Sequence, residues 1–217
     1  MRWSPLLLPV LIGTIVACSE PTPGPWRGVL QSPGGELPFG LTLEKTDAGW
    51  TGQIHNGEES IQIGEVRVDG KSVVLDFPHY DANVTATLES GARMTGRYWR
   101  QRGGETFAEM PFVAEAAQPW RFAPGVTEDA SPYAGRWRVD FETEEDDAVA
   151  VFEVVEGEVR GTFLTSTGDY RFLAGEVVDG ELRLSVFDGA HAFLFRASAQ
   201  EDGSLIGDFW SSNYWHE

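Results

Sequence analysis

A chain of 217 residues with 34 acidic against 16 basic side chains carries a formal charge of −18. That acidity excludes nucleic acid as a partner class, because phosphate binding needs a basic surface. A single cysteine excludes a disulfide framework and dithiol exchange, while 25 glycines, 13 phenylalanines and 8 tryptophans suit short strands and tight turns around an aromatic core.

In chain order the N-terminus comes first. Arg2 supplies a positive start, Leu6 to Val16 form an apolar stretch too short to span a bilayer as a stable helix, and Ile15-Val16-Ala17-Cys18 matches the bacterial lipobox. This pattern predicts a lipoprotein signal over residues 1–18, lipidation of Cys18, and attachment to the membrane by lipid rather than by a transmembrane helix. Ser19, rather than Asp, follows the cysteine, which places the anchor in the outer membrane of a bacterial cell envelope, facing the periplasm. Residues 19–25 then read as a Pro/Gly-rich tether.

Beyond Trp26 the chain alternates apolar and polar residues. Glu36 to Glu44, Ser72 to Phe77, Asn83 to Leu88, Val149 to Val155, Glu181 to Phe187 and Ala192 to Ala197 all show this period of two, the mark of strands with one buried face. Asp69-Gly70, Ser90-Gly91, Glu156-Gly157, Asp179-Gly180 and Asp202-Gly203 supply turn chemistry between them. No helical period is found past the N-terminus, apart from one possible turn at Ala114 to Gln118.

The chain repeats itself. Met94-Thr95-Gly96-Arg97-Tyr98-Trp99 matches Leu205-Ile206-Gly207-Asp208-Phe209-Trp210, and Trp26-Arg27 matches Trp137-Arg138. Thr51-Gly52 matches Arg160-Gly161, Glu65-Val66 matches Glu176-Val177, and Val74 to Phe77 matches Leu184 to Phe187. A repeat in one order predicts an all-β fold made by tandem duplication of two antiparallel meander units, each a small barrel or curved sheet. The units are assigned to residues 26–114 and 133–217, with a linker at 115–132. Adding the repeat offset to Phe107 of the last strand of unit 1 gives position 218, so unit 2 is expected to lack most of its closing strand, unless Asn213-Tyr214-Trp215 forms a shorter one.

No sequence pattern assigns catalytic residues, a metal site or a cofactor. The acidic run Glu142 to Asp147 lacks the spacing of a calcium loop and reads as a solvated hairpin. His79 and His191 fall at comparable places, each near an aspartate, Asp76 or Asp81 for the first and Asp188 for the second. The polar hairpin Thr165 to Arg171 could line a pocket rim. Asp169, Tyr170, Arg171, Asp188 and His191 are therefore the candidate ligand-binding residues. The counterpart hairpin His55 to Ser60 does not keep these groups, so unit 1 is expected to be a structural copy.

Two resemblances follow from these residues. Gly135-Arg136-Trp137 is similar to the opening Gly-x-Trp of lipocalin and calycin barrels. Gly161 to Gly175 and Phe187 to Phe195 resemble the β-rich N-terminal region of bacterial envelope lipoproteins of the TlpA/ResA-like thioredoxin family. That resemblance implies a β module preceding a thioredoxin-like domain with a redox Cys-x-x-Cys. Residues 26–217 hold no Cys-x-x-Cys, so the implied redox chemistry maps onto no residue here. The resemblance implies a non-catalytic, lipid-anchored spacer, binding or docking module, the N-terminal part of a TlpA-like thiol-disulfide oxidoreductase lipoprotein whose thioredoxin-like domain is missing here or encoded separately, with an envelope protein as its partner. The alternative is a lipocalin-like carrier of a small apolar ligand.

Overall fold

A computed structural model describes residues 20–125, 128–142 and 147–217. Cys18 and the signal segment lie outside the described residues, as do residues 143–146 of the acidic run. The fold is all-β and is built twice from the same parts. Unit 1 contains β1 (Gly24–Ser32), β2 (Gly35–Thr46), β3 (Gly49–Asn56), β4 (Glu59–Gln62), β5 (Glu65–Asp69), β6 (Ser72–Phe77), β7 (Ala82–Ser90), β8 (Arg93–Arg102) and β9 (Glu105–Ala116). Unit 2 contains β10 (Gly135–Val139), β11 (Ala148–Val155), β12 (Glu158–Thr165), β13 (Gly168–Asp169), β14 (Leu173–Val178), β15 (Glu181–Phe187), β16 (Ala192–Ala199), β17 (Leu205–Ser211) and β18 (Trp215–His216).

The strands correspond one to one. In both units the fourth strand is a short flap paired only with the third, and all pairings are antiparallel; with the flap set aside they join strands consecutive in the chain, apart from β1 with β9 in unit 1. The opening tryptophans match in detail: the Trp26 indole N–H donates to the Thr22 carbonyl and the Trp137 indole N–H to the Tyr133 carbonyl, both at 2.9 Å. Hairpins turn where the sequence placed Gly pairs, with Glu156, Gly157, Asp179 and Gly180 all at positive φ. The expected helical turn at Ala114 to Gln118 does not form. β9 carries its alternation through Ala116, and Ala117 leaves the strand at φ +56°.

Unit 1 closes. β9 pairs β1 on one side and β8 on the other, and β3 pairs both β2 and β5, so eight strands form a complete barrel with β4 outside the ring. Its interior is filled by Leu30, Leu37, Leu41, Ile54, Leu75, Leu88, Met94 and their neighbours, all essentially inaccessible. Small barrels have room for side chains or for one small ligand, and here side chains take the space.

Unit 2 stays open. Its path runs β10-β11-β12-β14-β15-β16-β17-β18, and no pairing joins β18 or β17 back to β10. β18 takes the place of the first residues of β9: Trp210 pairs His216 as Trp99 pairs Glu109. The β17–β18 hairpin is shorter than its unit 1 counterpart, which is why simple addition to Phe107 overshot. The remaining seam, along Leu205 to Asp208 of β17 and along β10, has no partner strand among the described residues. The concave face of this half-barrel is sealed instead by aromatic packing, with Phe163, Phe195 and Phe209 stacked at 4.4 Å centroid separations and Phe141 leaning onto Phe209 and Tyr170.

The register corrects one part of the repeat alignment. Leu75 pairs Val84, which pairs Tyr98; Leu184 pairs Phe195, which pairs Phe209. Phe77 is therefore equivalent to Val186, not to Phe187. A one-residue slip in a strand moves a side chain to the opposite face of the sheet. Phe187 accordingly points away from its own half-barrel, and there it meets unit 1.

Candidate functional site at the junction of the two units

The β15–β16 hairpin of unit 2 corks one mouth of the unit 1 barrel. Phe187 is fully buried, its ring 4.6 Å from Phe39, 5.1 Å from Tyr98 and 5.7 Å from Phe77, the last two edge-on. Asn56 holds the hairpin as a strand would: its amide N–H donates to the Phe187 carbonyl at 2.8 Å and its carbonyl oxygen accepts from the Phe187 N–H at 3.1 Å. The Tyr98 hydroxyl donates to Gly189 O and the Arg100 guanidinium to Ala190 O. Gly189 sits at φ +94° with the Phe77 ring where a Cβ would be, so the loop tolerates only glycine.

Four of the five candidate ligand-binding residues gather behind this cork, and one does not. Asp188 is buried. One of its carboxylate oxygens accepts from the Ala190 and His191 backbone N–H groups, and the other meets His191 Nδ1 and Arg171 Nε, each at 2.9 Å. Burial alone would raise the Asp188 carboxyl, but the hydrogen bonds and charge of His191 together with the two N–H groups outweigh it and hold it at about 2. Burial works to lower the Arg171 pKa, but its bond to Asp188 wins and raises it. Asp169 accepts from the Arg171 N–H at 3.3 Å. Tyr170 points the other way, into the aromatic cluster of unit 2 against Phe193 and Phe209. These groups therefore act first as the internal brace of the cork loop. Asp188 offers no free oxygen to a ligand, and no hydroxyl or thiol among the described residues hydrogen-bonds the His191 ring.

Sequence reasoning missed the residues that join the units. Asn56, in the hairpin read as a mere structural copy, is the receiving half of the contact. The linker is also structural. Arg121 is half-buried between the units, with its guanidinium donating to Ser185 O at 2.8 Å and Ser185 Oγ at 3.1 Å, and its own carbonyl accepting from Arg27 Nε at 2.7 Å. Glu176 takes the Arg121 backbone N–H, and Ser185 Oγ donates to Pro38 O across the junction. Burial pulls the Arg121 pKa down to about 10, which leaves it charged at neutral pH. A lone arginine beside Trp120 in a Pro-rich stretch was the available signal. A second contact zone lies at the other end of the junction, where Tyr214 packs on Phe107 at 4.3 Å and Trp210 leaves no room for a Cβ at Gly34.

Two clefts lie along this junction, both outside the barrel interiors. One of about 350 Å³ is bordered by Asn56, Glu58, Arg160, Asp169, Arg171 and Phe172, and another of about 200 Å³ by Trp26, His55, Trp120 and Arg121. Among the described residues, no group of three or more His, Cys, Asp or Glu side chains is placed to hold a metal ion.

No protein-family model matches the chain, and no curated protein matches it. Among solved structures it is similar to a protein of unknown function of the DUF3598 family from Nostoc punctiforme, with 12% identity, a TM-score of 0.31, and coverage of 90% of this chain and 92% of the other.

Proposed function

We propose that this protein is a non-catalytic docking module of the bacterial envelope, held to the membrane through a lipid on Cys18. The single observation that supports docking over carriage is that the closed barrel is filled with side chains and corked by Phe187, while apolar groups stay exposed along the open unit. Ile206 is 66% exposed, and Tyr214 and Trp215 are 45% and 43% exposed, all on β17, on β18 or in the turn between them. A carrier needs an enclosed apolar chamber, and apolar surface left on the outside of a soluble domain marks a contact site instead. The resemblance to envelope thiol-disulfide oxidoreductase lipoproteins makes the partner a protein of that compartment.

The test is a titration with a fluorescent fatty acid, whose alkyl chain would fill a lipocalin-type interior. The docking reading expects no saturable one-to-one uptake. Stoichiometric binding that is lost on filling the interior further, for example with Ala108→Leu, would overturn it in favour of the carrier. Incorporation of labelled palmitate by the wild-type chain in a bacterial host, and none by Cys18→Ser, checks the anchor.

A further inference from the structure

The open seam of unit 2 has a template for its occupant in the same chain. In unit 1 the equivalent gap, between β8 and β1, is filled by β9. Its Phe112 lies between Gly96 and Leu30, its Ala114 between Met94 and Gly28, and its Ala116 beside Trp26. The repeat register carries these flanking positions to Gly207 and Phe141, Leu205 and Val139, and Trp137. Gly207 keeps the close approach of Gly96, since a Cβ at either would strike the carbonyl of the preceding strand, Arg196 O or Thr85 O.

The backbone of the seam is presented for pairing. Phe209 exchanges both backbone hydrogen bonds with Glu217, and Gln200 N–H donates to Ser204 O on the opposite side of β17. By strand alternation, Gly207 and Leu205 turn their N–H and C=O groups into the seam. On the other edge, Ala117 N–H bonds Pro25 O in unit 1, so the equivalent Arg136 and Arg138 turn theirs the same way. Arg138 holds the Arg27 place beside the seam and, like Arg27 with Glu36, already has its acidic partners, Asp140 and Asp147, within its own unit, so charge sets no requirement on the strand.

We propose that this seam is the docking site itself and that it takes one extended polypeptide strand, antiparallel to both β10 and β17. The strand would carry a large apolar side chain opposite Gly207 and small ones two and four residues further on. This rests on the docking reading and names its partner class. Edge strands with unpaired backbone groups are natural acceptors for such augmentation. β18 covers the edge of β17 only as far as Phe209, so about six residues suffice to close the sheet at ~3.4 Å per residue.

The probe is a synthetic peptide with the sequence of residues 111–118, added to the full chain and followed by amide hydrogen exchange and by titration. The proposal expects saturable binding with slowed exchange at Gly207, Leu205, Arg136 and Arg138. It also expects at least about tenfold weaker binding for the peptide with Phe112→Asp, since burial of one phenylalanine decides that step. Binding that protects only residues around Tyr214 and Trp215 would overturn strand insertion while leaving docking intact. Absence of binding would overturn the insertion, and the docking reading would still be judged separately by the fatty-acid titration.

Discussion

Phe187→Ala tests the cork. The phenylalanine is fully buried and touches three rings that belong to the other unit, so truncation removes its transfer free energy and leaves a hole lined by Phe39, Phe77 and Tyr98. Deletions of this kind cost about 3–5 kcal/mol. For a chain of this size each kcal/mol moves the midpoint by roughly 2–4 °C, so the expected loss is roughly 6–20 °C. Differential scanning calorimetry with near-UV circular dichroism reads both the midpoint and the shape of the transition. The wild type should unfold in one transition because the cork and Arg121 couple the units. The variant should separate into two. Phe172→Ala serves as control, being 44% exposed, and should change stability by about 0.5 kcal/mol or less. A Phe187→Ala shift no larger than that of the control would refute the reasoning.

Asp188 titrates at about 2 when folded and near its ordinary value, about 3.9, when unfolded, so it contributes about 2 kcal/mol that is present above about pH 4 and lost as pH falls toward 2. The stability gap between wild type and Asp188→Asn, measured by urea unfolding, should shrink by that amount between pH 6 and pH 2; a gap independent of pH contradicts the assignment. Arg121→Ala strips hydrogen bonds from Ser185 O and Ser185 Oγ between the units and should cost about 2–4 kcal/mol in the same assay. Gly96→Ala and Gly207→Ala introduce the same collision, but β8 is locked in a closed ring and β17 borders an open seam. The first should cost about 3 kcal/mol and the second about 1 kcal/mol, within the usual range for overpacking; equal costs would argue that the seam is as rigid as the barrel.

The architecture was readable from sequence because its signals are local. Period-two alternation placed β6 and β15 at their observed boundaries, and Gly-x-aromatic-Trp marked β8 and β17 as equivalent. What the sequence hid was parity. Phe77 and Phe187 both close an apolar strand and invite alignment, yet only pairing across three strands shows that they face opposite ways. The site shared this fate. Asp188, His191 and Arg171 do bond one another, as the brace of a loop, whereas Tyr170 turns away to Phe193 and Phe209, and nothing in Asn56-Gly57 distinguishes a turn from a socket. Arg121 escaped because its partners are backbone and hydroxyl groups of Ser185, 64 residues further along the chain. Such groups leave no charge pattern to read.

Unit 1 is closed by β9 and unit 2 is open between β17 and β10, and amide hydrogen exchange on the full chain measures this most directly. Gly96 and Gly207 are equivalent residues whose N–H groups point toward the place of a closing strand. Gly96, covered by β9, should exchange only through large-scale opening, whereas Gly207 and Leu205 should exchange orders of magnitude faster, near the rate of an exposed edge. Equal protection of Gly96 and Gly207 in the isolated protein would contradict the open seam and, with it, the docking site proposed there.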